Sequence, residues 1–298
     1  MGILGRKVLV TGGSGQLGSC LNVSSPDNAD VSVYSSSKFD LSDKQQMRAV
    51  LEEQRPSVVV NCAAYTNVDG AESDREQAFL INHEGASDLA LLCKELGVKL
   101  IHISTDFVFD GAGTLPYGPS DPTSPLGVYG QSKFAGEEAL REGYPEGVMI
   151  IRTSWLYSEY GSNFVKTMIR LFGSKDSFSV VDDQVGSPTY ALGLANLIWC
   201  IVVSDDFVPG TYHWSDSGQT TWFDFARKIG EEIQERQLVE KPGMVEPIPS
   251  EEYGSKTPRP SFSVLDCSEI QSIYPGAEQV SWQANLSEML DRYELESE

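Results

Sequence analysis

The chain has 298 residues, and its 40% hydrophobic and 10% aromatic content excludes a wholly disordered protein. With 22 Lys and Arg against 43 Asp and Glu, the formal net charge of -21 argues against broad binding to nucleic acids or anionic membranes. The longest apolar run, 191–203, is shorter than the ~20 residues that span a bilayer, and five scattered cysteines suit a reducing compartment. We therefore expect a cytoplasmic protein that binds neither nucleic acid nor membrane.

Strand and helix signals alternate through the first half of the chain. Nearly continuous apolar runs predict five strands, at 7–13, 31–35, 57–64, 99–104 and 147–153. Helical spacing predicts helices that begin at Gln16 and that cover 43–55, 82–96 and 126–142, with Ser42 as one N-cap and Gly97 as one helix end. Strands that are apolar on both faces belong to parallel sheets covered by helices. The order predicts an α/β fold with a doubly wound, Rossmann-like parallel sheet.

The second half of the chain has a looser pattern. It predicts helices at 163–171, 190–203 and 221–234, short strands at 178–181 and 211–214, and a short final helix. We expect residues 1–154 to form a dinucleotide-binding domain and residues 155–298 to form mainly a smaller substrate-binding lobe. A strand near 178–181 is expected to return to the main sheet.

A glycine-rich turn follows the first predicted strand and opens the first predicted helix. Its glycines are Gly12, Gly15 and Gly18, in the spacing GxxGxxG. Glycines there let the backbone approach a pyrophosphate, which binds at the N–H groups of a helix N-terminus. The alternative is a tight structural turn, but the position at the first βα junction favours a dinucleotide.

The end of the second strand predicts which nicotinamide cofactor is preferred. Sites that prefer NAD place an Asp or Glu there, about 20 residues after the glycines. This chain has Ser35, Ser36, Ser37 and Lys38 instead, which suit a 2′-phosphate. We predict NADPH, with NADH as the alternative.

Tyr129 and Lys133 lie four residues apart on a predicted helix, so their side chains project to the same side. A nearby ammonium lowers the pKa of a tyrosine from its usual ~10, which makes the phenol a usable acid or base near neutral pH. An ordinary surface pair is the alternative. The glycine turn, and Thr105 and Asp106 after the fourth strand, favour catalysis.

Longer segments carry a resemblance to a known family. They are VTGGSGQLG (10–18), DLSD (40–43), NCAAYTNVDGAE (61–72), INHEG (81–85), STDFVFDG (104–111), PLGVYGQSKFAGE (125–137), RTSWLY (152–157), NFVKTM (163–168), DDQVGSPT (182–189), GTYHWSDSGQTTWFDFA (210–226) and RPSFSVLD (259–266). Over nearly its whole length the chain resembles the dTDP-4-dehydrorhamnose reductase family, within the extended short-chain dehydrogenase/reductase superfamily.

The resemblance implies NADPH-dependent reduction of the 4-keto group of dTDP-4-dehydro-L-rhamnose to dTDP-L-rhamnose. Tyr129 would donate the proton, Lys133 would orient the nicotinamide ribose, and Thr105 would hydrogen-bond the reacting carbonyl. The implied cofactor-binding residues are Gly12, Gly15, Gln16, Leu17, Gly18, Ser35, Asp40, Leu41, Ala63, Ala64, Tyr65, Thr66, Tyr129 and Lys133. The implied substrate-binding residues are Thr105, Asp106, Trp155, Gly186 and Arg259.

Some of these implications have independent support, and others meet an alternative. A diphosphate bound to so acidic a protein needs a bidentate cation, which supports Arg259, although a surface salt bridge is its alternative. Sugar-nucleotide dehydratases have a glutamate where this chain has Phe107, so an elimination base is absent there.

Three other functions stay open. Another nucleotide-sugar reductase or an epimerase of the superfamily uses the same Tyr and Lys, and a non-catalytic subunit like the methionine adenosyltransferase beta subunit keeps the fold.

Some family members bridge a dimer through magnesium and glutamates, but Cys20 stands at one of those positions. We therefore predict no metal and leave a homodimer open.

Overall fold

A six-stranded, all-parallel sheet forms the centre of the computed structural model, which describes residues 6–27, 29–204, 206–255 and 257–297. The strand order is β2-β1-β3-β4-β5-β10, so the chain winds outward in both directions from β1 and β3. The strands of this sheet are β1 (Lys7–Thr11), β2 (Asp30–Val33), β3 (Val58–Asn61), β4 (Lys99–Thr105), β5 (Val148–Thr153) and β10 (Gly210–His213). In such folds ligands bind beyond the carboxyl ends of the strands where the winding reverses. The predicted fold class is confirmed.

Helices and helical turns lie between and after these strands. They are α1 (Gln16–Val23), α2 (Lys44–Gln54), α3 (Val68–Ala71), α4 (Arg75–Phe79), a π-helical turn (Leu80–Gly85), α5 (Ala86–Leu96), a 3₁₀ turn (Asp106–Val108), α6 (Val128–Gly143), α7 (Phe164–Ser174), α8 (Ala191–Val203), α9 (Trp222–Glu235), α10 (Ser250–Tyr253), α11 (Ser268–Ile273) and α12 (Trp282–Ser297). The final helix has 16 residues, so the prediction of a short one was wrong. Among the described residues, none of the helices combines the length and apolarity needed to cross a bilayer.

The sheet divides the hydrophobic core into two layers. Alternate residues of a strand point to opposite faces, so Val8 and Val10 of β1 enter one layer and Leu9 enters the other. Helices α2, α5 and α6 cover the Leu9 face. Helices α1 and α8 pack against each other on the Val8 face. Helix α8 therefore packs the second half of the chain against the first half.

Short strands complete the second half of the chain. They are β6 (Leu156–Tyr157), β7 (Ser177–Val181), β8 (Val185–Gly186), β9 (Thr189–Tyr190), β11 (Thr220–Thr221) and β12 (Met244–Ile248). The expected return of residues 178–181 to the main sheet was wrong, because β7 pairs with β12 in a separate two-stranded sheet. The strand that joins the main sheet is β10, which lies parallel to β5.

Local side-chain hydrogen bonds fix several helix ends. Asp43, not the predicted Ser42, caps α2, because its carboxylate accepts hydrogen bonds from the N–H groups of Gln45 and Gln46 at 3.0 and 2.9 Å. A carboxylate is as good an N-cap as a hydroxyl and adds a favourable interaction with the helix dipole. Gly97 ends α5 with a φ of +68°, as predicted from sequence.

Candidate active site

A cavity of about 560 Å³ opens at the carboxyl ends of β1, β3, β4 and β5. Thirteen of the residues proposed from sequence line it: Gly12, Gly15, Gln16, Leu17, Gly18, Ala63, Ala64, Thr66, Thr105, Asp106, Tyr129, Lys133 and Trp155. The glycine turn forms one end of the cavity, and the residues proposed for catalysis line the wall that β4 and α6 provide. The fold thus brings together groups that lie more than a hundred residues apart in the sequence.

The glycine turn has the backbone geometry that a dinucleotide site needs. Gly12 has a φ of +66°, and a Cβ there would lie 2.7 Å from the backbone N of Ala63, so a larger residue does not fit. Helix α1 begins at Gln16, and no side chain caps it. Its first N–H groups are therefore free for an anion at the cavity, where the helix dipole also favours negative charge. These features fit a pyrophosphate.

The side chain of Gln16 ties this turn to the second half of the chain. Its Oε1 accepts hydrogen bonds from Ser158 Oγ at 3.1 Å and from Asn163 Nδ2 at 3.0 Å. Asn163 also caps α7 through the N–H of Lys166. Because the side chain is occupied, Gln16 would contact a cofactor through its backbone.

Tyr129 lies near the start of α6, beside the end of β4. The Glu72 carboxylate accepts a hydrogen bond from the N–H of Val128 at 2.8 Å and so fixes the helix start. Burial raises the pKa of Tyr129 to about 12, a hydrogen bond with Thr105 opposes that rise, and the Asp106 charge adds to it. The sequence predicted a lowered pKa for this phenol, which is the wrong direction.

The position of Lys133 explains the error. The side chain is 2% exposed, and its Nζ donates a hydrogen bond to the carbonyl of Ile103 at 2.8 Å and lies 3.2 Å from His102 Nε2. Burial lowers the pKa of Lys133 to about 8, opposed by the charges of Glu137 and Cys62. The ammonium is thus held against β4, and the helical spacing alone did not reveal this.

Asp106 is a buried carboxylate residue in the cavity wall. It begins the 3₁₀ turn after β4 and is 2% exposed. Its Oδ1 accepts a hydrogen bond from Thr105 Oγ1 at 3.1 Å, whereas its Oδ2 is buried without a hydrogen-bond partner among the described residues. Burial raises the pKa of Asp106 to about 6, and hydrogen bonds with Ser263 and Thr105 oppose that rise. A buried acceptor without a partner is suited to a ligand hydroxyl.

An aromatic stack supports another part of the cavity wall. Trp155 lines the cavity and stacks on Trp222, with 3.5 Å between ring centroids and 10° between planes. The Trp155 backbone is in the left-handed region with a φ of +47°, a costly conformation for a bulky residue that the surroundings must hold. Gly186 lies beneath the indole: a Cβ there would be 2.6 Å from the Trp155 ring. Sequence reasoning did not assign Trp222 to the site.

Six proposed residues do not line the cavity. They are Ser35, Asp40, Leu41, Tyr65, Gly186 and Arg259. Ser35 bonds to Ser37, and Asp40 accepts hydrogen bonds from Ser42. The side chain of Arg259 pairs with Asp69 at 3.3 Å, which is the surface salt bridge that the sequence left as its alternative. The roles proposed for these residues stay predictions.

Several lining residues were missed from sequence. They include Ser14, Val68, Thr153, Ser154, Gly161 and Ser162. Thr153 and Ser154 belong to the segment 152–157, and their position at the end of β5 was the available signal. Gly161 and Ser162 lie in the loop before α7, where the sequence offered no comparable signal.

Comparison with known proteins agrees with this geometry. Residues 6–295 match the family model described as "RmlD substrate binding domain". A dTDP-4-dehydrorhamnose reductase of Streptomyces griseus is 40% identical over 285 residues, covering 94% of this chain and 91% of that protein. A dTDP-4-keto-6-deoxy-D-glucose reductase of Streptomyces niveus is 39% identical, covering 86% of this chain and 87% of that protein.

A solved structure extends the similarity to three dimensions. The crystal structure of dTDP-4-dehydrorhamnose reductase from Bacillus anthracis, in complex with NADP, superposes with a TM-score of 0.89 at 37% identity. The match covers 96% of this chain and 99% of that one. A family model over nearly the full length, curated relatives near 40% identity and a shared fold all agree with the family predicted from sequence. The chain belongs to the dTDP-4-dehydrorhamnose reductase family.

Proposed function

We propose that this protein is an NADPH-dependent reductase that converts the 4-keto group of dTDP-4-dehydro-L-rhamnose into the hydroxyl of dTDP-L-rhamnose. The observation that carries the proposal is one cavity that joins an uncapped helix N-terminus to Thr105, Tyr129 and Lys133. When bound, NADPH supplies the hydride that reduces the carbonyl carbon. The residues of the chain bind the cofactor and the sugar nucleotide, orient them and supply the proton.

Tyr129 is the proton donor in this proposal. Because the pKa of its phenol is about 12, the group is protonated at neutral pH and has a proton to give. Thr105 hydrogen-bonds the reacting carbonyl and stabilises charge on Tyr129, which agrees with the direction in which it moves the pKa of that phenol. Lys133 supplies a buried positive charge on the same helix and orients the nicotinamide ribose.

The nucleotide sugar occupies the cavity between Asp106 and Trp155. The unpaired Oδ2 of Asp106 accepts a hydrogen bond from a sugar hydroxyl, and Trp155 packs on the sugar. Gly186 leaves room for the indole. Arg259 binds the diphosphate, which requires it to exchange its contact with Asp69 for the ligand.

The cofactor lies along the glycine turn. Gly12, Gly15, Gln16, Leu17 and Gly18 hold the pyrophosphate, and Ala63, Ala64, Tyr65 and Thr66 border the nicotinamide. Asp40 and Leu41 flank the adenine, and the hydroxyls of 35–37 with Lys38 hold the 2′-phosphate. Ser36, which lines the cavity, supports this placement.

The proposal also assigns the two ligands to different parts of the chain. Residues 1–154 bind the cofactor, and residues 155–298 mainly bind the nucleotide sugar, while β10 and α8 build onto the cofactor-binding half. We place the protein in the cytoplasm, where its five cysteines stay free thiols, as a monomer or a homodimer.

The test is reduction of the keto sugar with each cofactor, with the product identified by NMR. Tyr129→Phe should lower kcat by ~10²-fold or more, as expected for a lost general acid. Tyr253→Phe, which alters an exposed tyrosine, is the matched control. Near-normal turnover by Tyr129→Phe contradicts the mechanism. A product other than dTDP-L-rhamnose keeps the reductase class and changes the substrate, for example to dTDP-4-keto-6-deoxy-D-glucose.

A further inference from the structure

The side chain of Gln16 joins the glycine turn to residues 156–163 of the second half of the chain. Its Oε1 accepts hydrogen bonds from Ser158 Oγ at 3.1 Å and Asn163 Nδ2 at 3.0 Å. Its Nε2 donates a hydrogen bond to the carbonyl of Leu156 at 3.3 Å. The first residue of α1 therefore holds this segment near both of its ends, across more than a hundred residues of sequence.

Hydrogen bonds within the segment maintain its fold without Gln16. Ser158 Oγ also lies 3.0 Å from the carbonyl of Tyr160, and Asn163 Nδ2 donates to the carbonyl of Ser158 at 2.7 Å. Asn163 Oδ1 in turn accepts a hydrogen bond from the N–H of Lys166. The amide of Gln16 therefore contributes the position of the segment relative to the glycine turn.

The position of the segment matters because Trp155 directly precedes it. The φ of Trp155 is +47°, a costly conformation that persists only where neighbouring groups hold the backbone on both sides. The carbonyl of Trp155 accepts a hydrogen bond from the N–H of Thr189 at 3.2 Å, and the next carbonyl, of Leu156, accepts the one from Gln16. Gln16 thus constrains the strained tryptophan from the side of the glycine turn.

The backbone of the glycine turn is held by its own hydrogen bonds. The N–H of Gly15 donates to the carbonyl of Gly12 at 2.9 Å, and the N–H of Ser19 donates to the carbonyl of Gly15 at 3.0 Å. Neither bond involves the side-chain amide of Gln16. We therefore expect the N–H groups that suit a pyrophosphate to keep their positions when that amide is removed.

We propose that Gln16 is a positioning residue for the sugar nucleotide: its side chain holds Trp155 in place through residues 156–163, while its backbone serves the cofactor. The inference rests on the proposed function for the packing of Trp155 on the sugar. A side chain in the cofactor-binding turn then controls KM for the sugar nucleotide and leaves the affinity for NADPH unchanged.

Three variants test this division by kinetics. Gln16→Met keeps the length of the side chain and removes the amide, and we expect KM for the sugar nucleotide to rise about tenfold, on the order of one lost hydrogen bond. The Kd for NADPH, measured by fluorescence titration, should be unchanged. Ser158→Ala removes a partner of the amide and should raise the same KM. Ser19→Ala is the matched control on α1, because the contact of its hydroxyl with the carbonyl of Gly13 stays within the first half of the chain.

The indole N–H signal of Trp155 gives a readout that does not depend on turnover. Trp155 stacks on Trp222 with 3.5 Å between ring centroids, so the ring current of Trp222 makes this ¹H–¹⁵N signal sensitive to displacement. Trp155→Phe removes the signal and so assigns it. We expect the signal to move in Gln16→Met and in Ser158→Ala and to stay in place in Ser19→Ala.

The outcomes separate this inference from the proposed function. A Gln16→Met variant whose Kd for NADPH rises while KM for the sugar nucleotide stays constant overturns the inference, and so does an unmoved Trp155 signal. A wild type that does not reduce the keto sugar overturns the proposed function instead, and the Trp155 signal then decides the positioning role. If Gln16→Met does not fold, Ser158→Ala decides by the same two measurements.

Discussion

The ion pair between Glu137 and Arg152 should contribute strongly to stability, and Glu137→Gln measures it. The Glu137 side chain is fully buried, and its two oxygens accept hydrogen bonds from Arg152 Nε and Nη2 at 2.9 and 2.7 Å. Ser104 Oγ donates to Oε1 at 2.5 Å, and Arg141 Nη1 donates to Oε2 at 3.1 Å. Glutamine has one acceptor oxygen and no charge, so it leaves the 2% exposed Arg152 as a buried cation without its carboxylate.

The expected magnitude follows from this burial. Removal of one partner of a buried pair costs about 3–5 kcal/mol, because the remaining charge stays desolvated. Glutamine keeps one acceptor, so we expect a loss of about 3 kcal/mol in the free energy of unfolding. The matched control is Glu138→Gln on the same helix, where the carboxylate is exposed and lies 3.8 Å from Arg141. That exposed pair should contribute less than about 1 kcal/mol.

Urea unfolding monitored by tryptophan fluorescence measures both variants, and pH supplies a second readout. The hydrogen bonds and charge of Arg152, with Ser104 and Arg141, hold the pKa of Glu137 below its ordinary value of 4.5 despite burial. A depressed carboxyl pKa stabilises the fold above the unfolded-state value, and that stabilisation is lost as the pH falls through the folded-state pKa. The difference between wild type and Glu137→Gln should therefore shrink below about pH 4.5. Equal losses in the two variants at pH 7 would refute the reasoning.

Three further outcomes follow from the site. The kcat for reduction should fall as the pH rises above about 8, because the lowered pKa of Lys133 makes the side chain a neutral amine at higher pH. A kcat that stays constant to pH 10 contradicts this prediction. Gly186→Ala should raise KM for the sugar about tenfold by displacing Trp155. Gly276→Ala is the control, because a Cβ at Gly276 meets nothing within 4 Å. Equal KM values in the two variants contradict the prediction. Lys38→Glu should lower kcat/KM for NADPH about tenfold relative to NADH, and an unchanged ratio of the two contradicts the 2′-phosphate site.

The parts of the fold that were predictable are those whose sequence signal is local. Val58–Asn61 is buried at every residue, so a continuous apolar run was enough to predict a central parallel strand. The glycine spacing placed Gly12 correctly, because only a residue that tolerates positive φ and close backbone contact fits there. Such requirements are imposed by neighbours along the chain and leave a mark in the sequence.

Two of the errors concern partners that lie far apart in the sequence. Strand β7 has exposed serines at 177 and 179 and buried valines at 180 and 181, and nothing in these residues says whether β5 or β12 lies beside it. The spacing of Tyr129 and Lys133 gave the side of the helix correctly. The spacing did not show where the Nζ atom of the long Lys133 side chain lies. That position depends on the hydrogen bond that Nζ donates to the carbonyl of Ile103 on β4. The direction of the Tyr129 pKa shift was wrong because the spacing did not reveal the burial of the phenol, which is the largest cause of the shift.

The charge of the protein explains why the site has this construction. At a net charge of -21, the long-range field of the protein disfavours an anionic cofactor and an anionic sugar nucleotide alike. Lys133 is the one cationic residue among the described residues that line the cavity, and it is buried at the catalytic end. In the proposed mode of binding, the cofactor pyrophosphate in this cavity meets the backbone N–H groups of the glycine turn, whose dipoles carry no titrating charge. The cation is thereby left to catalysis, and a pH change that neutralises Lys133 alters turnover while leaving the phosphate-binding backbone unchanged.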